Sequence, residues 1–180
     1  MARRTRLLPI GTSLALLLFL GGCALRPSIP EGTFDTFDLQ TDLAGKTIGR
    51  GNFSAIDGTS RDFVAYIDGS WDGEVMTLVE DFDYADGVKE RKTWKLTLLP
   101  NGEYSGIRED VIGTARGYQD GNAFSLEYML AIPDDDGSPG RKVSFKDVLV
   151  KHQDGSIVNN ANVGWWGFRV GRVNLTITRE

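Results

Sequence analysis

Cysteine and histidine are nearly missing from this chain, with one of each, Cys23 and His152, in 180 residues. One cysteine cannot close an intramolecular disulfide, so the fold must be held by packing. One histidine without a second imidazole or a free thiol leaves no zinc or haem ligand set, and His152 sits in a polar turn after Lys151. The same scarcity removes the Ser-His and Cys-His nucleophile pairs, and neither a Gly-x-Ser-x-Gly elbow nor a glycine-rich phosphate loop occurs. No cofactor and no metal are therefore expected. Long helical patterns are lacking too, since no stretch beyond two turns keeps a 3.6-residue apolar period.

Basic charge is in deficit. The chain carries 20 Lys and Arg against 25 Asp and Glu, a net charge of −5. Three of those cations, Arg3, Arg4 and Arg6, fall before residue 23, where there is no acid. The remainder therefore holds 17 cations against 25 acids, a net of −8. Phosphate backbones and anionic lipid heads attract basic patches, so this balance speaks against nucleic acid and against electrostatic adhesion to a membrane. Membrane attachment would need an anchor.

The N-terminus offers one. A cationic start, Met1 to Arg6, precedes an apolar stretch, Leu7 to Leu20, too short to span a bilayer comfortably. It ends in Leu20-Gly21-Gly22-Cys23, which resembles the lipobox of bacterial lipoproteins. Lipidation of Cys23 is expected, with residues 1–22 as a removable signal peptide. Two or three acyl chains on one residue hold far more firmly than one. Ala24 rather than Asp after the cysteine is similar to lipoproteins sorted to the outer membrane, which suggests its periplasmic leaflet.

Residues 23–45, with prolines and glycines crowded into Arg26–Gly32, suggest a lipidated tether and lead-in segment, and residues 46–180 a β domain. Period-two alternation is plain there. Phe63, Ala65 and Ile67 share one parity, as do Leu78, Phe82 and Tyr84. The same holds for Trp94, Leu96 and Leu98, for Phe124 to Ile132, and for Val173, Leu175 and Ile177. Hairpin turns are suggested at Asp57-Gly58, Asp68-Gly69, Asp72-Gly73, Asp86-Gly87, Asn101-Gly102, Asp120-Gly121 and Asp154-Gly155. The expected fold is all-β, an antiparallel up-and-down meander of about eight to ten strands closed into a lipocalin- or calycin-like barrel. A two-sheet sandwich is the alternative.

One constellation has a known counterpart. Glu80-Asp81-Phe82-x-Tyr84-x-Asp86-Gly87, with Arg91 and Trp94, resembles an uncharacterised family of bacterial lipoproteins known as domain of unknown function 3833. Further likeness lies in Tyr104-x-Gly106, in Asp110-Val111-x-Gly113-x-Ala115-x-Gly117, and in Gly121-Asn122-Ala123 with Tyr128. Val158-Asn159 and Gly167-Phe168-Arg169-Val170-Gly171 continue it, so it spans nearly the whole chain after the leader. The chain departs from the family at Lys146-Asp147-Val148-Leu149 (Asp-Asp-Trp-Met in the pattern), at Asn160 (a basic residue) and at Trp165 (lysine). The resemblance implies a lipocalin-like barrel and an association with membrane lipid metabolism, but no activity.

Glu80 shares the apolar parity of Leu78 and Phe82, so it should point inward, a costly position without a partner. Arg91, or another cation of the adjacent strand, is its expected partner. Glu80, Arg91, Trp94, Asp110 and Tyr128 form the candidate ligand-binding set. Asp110 could pair with Arg91, Arg108 or Arg116. Asp110, Gly113 and Gly117 are assigned to a strand, the glycines as shape residues. Asp134-Asp135-Asp136 lacks the spacing of a calcium loop and is expected to be solvated. Trp165-Trp166 suggest core packing first and the lipid interface second.

The function expected from these features is a membrane-anchored lipoprotein binding or carrying a hydrophobic ligand, a fatty acid or lipid, in the barrel. A structural module that binds a protein partner without a cavity is the alternative. A lipid-modifying enzyme working through carboxylates alone is the third class.

Overall fold

The computed structural model describes residues 26–30, 32, 34–132 and 140–180; Cys23 and Asp134 to Asp136 lie outside them. Ten antiparallel strands follow a single helical turn. They are β1 (Gly45–Ala55), β2 (Ser60–Trp71), β3 (Val75–Tyr84), β4 (Lys89–Leu98) and β5 (Tyr104–Ile107). After these come β6 (Ala115–Asp120), β7 (Ala123–Ala131), β8 (Lys142–Lys151), β9 (Ile157–Trp165) and β10 (Phe168–Arg179). Each strand pairs with its neighbours in sequence, and β10 returns to β1 with Thr47 opposite Arg179 and Ala55 opposite Gly171. The barrel is closed and leaves no edge. The sandwich alternative does not occur.

The alternation of the sequence translates directly into this wall. Met76, Leu78, Leu96, Phe124, Leu126, Leu149, Ile157 and Ile177 are buried in one core. Positions between them face out, as Arg91, Thr93 and Lys95 do on β4, so the outer wall presents charge to water. No helix among the described residues is long and apolar enough to cross a membrane.

One end of the barrel is stoppered. The segment before β1 carries helix α1 (Leu39–Asp42), capped by Asp38, whose carboxylate accepts from the Gln40 amide at 2.8 Å, while Asp42 accepts from the Asp38 amide at 2.8 Å. Around this turn Phe37, Leu39 and Leu43 are buried in the core, Phe37 against Phe124 with ring centroids 5.9 Å apart. Lys151 pairs with Asp42 at 2.8 Å and Arg179 donates to the Thr41 carbonyl at 2.8 Å, fixing the plug to the rim. The last part of the expected lead-in, Phe37 to Leu43, is therefore part of the core. All ten strands and the plug lie within residues 34–180.

Six of the seven expected turns are turns, each glycine at positive φ. Asp68-Gly69 is the exception, and lies inside β2. The plug gives the reason: a Cβ on Gly69 would overlap the Leu43 carbonyl oxygen. The glycine permits close approach rather than a turn. Gly69→Ala should displace the plug and lower stability by about 1–3 kcal/mol in urea unfolding. An unchanged midpoint would contradict this packing.

Candidate functional site

Opposite the plug the barrel is hollow. A cup of about 380 Å³ opens between the β1–β2, β3–β4, β5–β6, β7–β8 and β9–β10 connections. Its walls are apolar and aromatic: Phe53, Phe63, Phe82, Tyr84, Leu130, Phe145 and Val173. Phe63 meets Phe82 and Tyr84 at 5.7 and 5.9 Å between centroids, so this wall is one packed aromatic cluster.

The floor is polar. Glu80 from β3, Lys92 and Trp94 from β4, Arg108 just after β5, Asp110, Tyr128 from β7, Asp147 from β8 and Asn159 from β9 all line it. Arg108 is the hub, with its side chain 11% exposed. Its guanidinium donates from Nε to Asp110 Oδ1 at 2.7 Å and from Nη2 to Asp110 Oδ2 at 3.4 Å. It lies 4.7 Å from the Trp94 ring centre and 5.5 Å from that of Tyr128. Lys92 reinforces Asp110 at 3.3 Å and reaches Glu90 at 3.7 Å. Tyr128 stacks on Phe145 at 5.1 Å and meets Trp94 edge-on at 5.1 Å.

Two acids in this layer are poorly served. Glu80 Oε2 stands 3.9 Å from Arg108 Nη1, an ion pair by proximity but without a hydrogen bond. Asp147 Oδ2 accepts from Asn159 Nδ2 at 3.2 Å and from the Tyr128 hydroxyl at 3.5 Å, while its Oδ1 has no partner. Burial pushes the Glu80 carboxyl up to about 7, against the pull of Arg108, and Asp147 adds to the push. Burial likewise carries Asp147 to about 7, against the Asn159 hydrogen bond and Arg108. The Tyr128 phenol is driven well above its ordinary range, first by burial and then by Asp147. Asp110 differs, since Arg108 and Lys92 outweigh its burial and hold its carboxyl below the ordinary range.

The expected site residues thus separate. Glu80, Trp94, Asp110 and Tyr128 meet on one floor. Arg91 does not: it is two-thirds exposed on the outer wall, paired with Asp81 opposite it in the β3–β4 register at 2.6 Å. The expected Glu80–Arg91 pairing is corrected, because Arg91 has the parity opposite to inward Trp94 and Leu96, and Arg108 stands beside Glu80 instead. Asp110 and Gly113 lie in the β5–β6 connection rather than on a strand, Gly113 at φ +73. Sequence reasoning missed Lys92, Arg108, Asp147 and Asn159 as floor residues. Each is a polar residue on the inward parity of its strand, or one step past its end, the same signal that marked Glu80. His152 lies at the plugged end, its ring edge-on to Phe34 at 5.0 Å, far from the cup. Among the described residues no three His, Cys, Asp or Glu side chains are placed to hold a metal ion.

The family model described as "Protein of unknown function (DUF3833)" matches residues 17–179. No curated protein matches the chain. Among solved structures, Rv2717c from M. tuberculosis superposes with a TM-score of 0.58 over 81% of this chain and 99% of that one, at 15% identity. That likeness concerns the fold alone.

Both buried acids hold a proton more tightly in the folded chain than in the unfolded one, where their carboxyls titrate near 4. The stability they contribute is complete below about pH 4 and is lost as pH rises to about 7, roughly 3 kcal/mol for each acid. Melting temperature should therefore fall between pH 5 and pH 8, and the double substitution Glu80→Gln, Asp147→Asn should flatten that fall. A wild-type curve that is level or rising across this window would contradict the burial of these acids.

Proposed function

The chain belongs to the DUF3833 family of proteins of unknown function, and from that footing we propose that it is a membrane-anchored protein that binds an apolar molecule of the lipid class in its cup. The observation that carries this reading is the hollow half-barrel: one mouth, aromatic walls and a polar floor, in the size range of small-ligand sites. Apolar burial against Phe63, Phe82 and Phe145 would supply affinity, and the floor would orient the polar end.

The rim supports the same reading. Ile56 in the β1–β2 turn is 77% exposed, Trp166 in the β9–β10 turn 83% and Phe168 at the start of β10 75%. Val88, Ile112 and Ile132 are exposed in the other three connections around the mouth. Of the turns at the plugged end, only Leu99 shows a comparable side chain. Core packing expected for Trp165-Trp166 is thus replaced by exposure, and a ring of apolar and aromatic side chains suits the interfacial zone of a bilayer. Arg26 is tied to the outer wall through Asp120 and through Ser125, the latter at 2.7 Å. Cys23 stands three residues before it, about 10 Å of chain at most, so acyl groups there would hold the barrel close to a membrane, in this proposal the periplasmic leaflet of the outer membrane.

Two carboxyls near 7 also fall in the range useful for proton transfer at neutral pH, which favours a lipid-modifying enzyme as the second reading. Native mass spectrometry of residues 24–180 after incubation with an envelope lipid extract decides between them. Binding predicts a one-to-one lipid adduct. A lipid altered in mass would mark the enzyme, and a chain that stays bare in excess lipid would end both readings. In cells, Cys23→Ser should move the protein out of the membrane fraction.

A further inference from the structure

The floor of the cup is unbalanced in a specific direction. Three buried acceptors have no hydrogen-bond partner there: Glu80 Oε2, Asp147 Oδ1 and Asn159 Oδ1. They come from three strands, β3, β8 and β9, and their side chains line the same floor. Asp147 is 7% exposed. Buried acceptors without donors are rare in folded proteins because each forfeits its hydration.

The charges lean the same way. Glu80, Glu90, Asp110 and Asp147 line the cup, against Arg61, Lys92 and Arg108, and Arg61 is held at the mouth by Asp86 at 2.8 Å and by the Tyr84 ring. The two cations at the floor, Lys92 and Arg108, are drawn to Asp110, at 3.3 and 2.7 Å, and Lys92 also to Glu90. Glu80 and Asp147 are left without a cation in hydrogen-bond contact. A carboxylate arriving on this floor would bring only acceptors and more negative charge. A primary ammonium brings three donors and one positive charge. Tyr128 and Phe145, stacked at the same level, offer π faces that favour a cation. Beneath the layer lies a void of only about 60 Å³, lined by Glu80, Asp147 and Asn159 and otherwise apolar. It has room for a few waters but not for an alkyl chain, so a polar end would stop at this level.

We propose that the cup selects apolar ligands whose polar end is a hydrogen-bond-donating cation, a primary ammonium, over those that end in a carboxylate. This rests on the reading of the cup as the ligand site, and it turns against the fatty acid expected from sequence. The chain would grip the aromatic wall while the ammonium satisfies Glu80, Asp147 and Asn159.

Calorimetric titration of residues 24–180 at pH 8 with octylammonium, 1-octanol and octanoate tests it. All three carry the same chain and differ at the polar end. Octylammonium should bind at least tenfold more tightly than octanol, and octanoate more weakly than octanol. Glu80→Gln with Asp147→Asn should bring octylammonium and octanol close to parity, and Glu80→Gln alone should reduce the gap if the double variant folds poorly. Octanoate binding as tightly as octylammonium, or a gap unchanged in the folded variants, would overturn the selectivity and leave the cup a lipid site. Failure of all three to bind would overturn the site reading as well.

Discussion

Arg108 lies over the rings of Trp94 and Tyr128 and against the carboxylates of Asp110 and Glu80. The barrel changes character at this level. Toward the plug, side chains interlock as in any protein interior. Toward the mouth they line a space. A guanidinium, an ammonium and three acids cannot be desolvated by apolar neighbours, so the layer that holds them must pair within itself and keep one side open to water or ligand. Hollow and solid halves of the barrel both follow from where that layer sits.

The pairing is incomplete, and the deficit is one-sided. Asp110 receives both cations, while Glu80 and Asp147 receive little, and their proton affinity rises accordingly. A chain selected for stability alone would place leucines at these two positions. Keeping two acids near neutrality at the bottom of an apolar cup costs folding energy, and unmet polar groups at the end of a cavity are a common mark of a site built for something else. Among the described residues the plugged end leaves no buried acid in that state: Lys151 pairs with Asp42 and Asp38 caps the helix, and an unpartnered buried polar atom there is the Thr47 hydroxyl.

The wall of the barrel was legible in the sequence because a strand has one period and the chain keeps it: Phe124, Leu126, Tyr128 and Leu130 fall on one face as their spacing requires. Glu80 was legible as inward by the same rule. Its partner was not, because parity tells which face a residue takes but not which distant strand brings a cation to the same height. Arg91 has the outward parity and meets Asp81; Arg108 arrives two hairpins later, just past β5. Gly69 resembles a turn glycine by its neighbour Asp68, and only the plug, packed from elsewhere in the chain, gives it another task. Trp165 and Trp166 resemble core residues by composition, and only the position of the mouth makes their exposure intelligible.

The central claim is that Glu80 and Asp147 form a buried, underpartnered acid pair at the base of an open cup. Carbon-13 NMR of the side-chain carboxyls, titrated in residues 24–180 without ligand, observes it directly. Two carboxyl resonances should titrate near pH 7 and be assigned to these residues by Glu80→Gln and Asp147→Asn. If every carboxyl instead titrates below pH 5, the floor is fully paired or solvated, and the account fails.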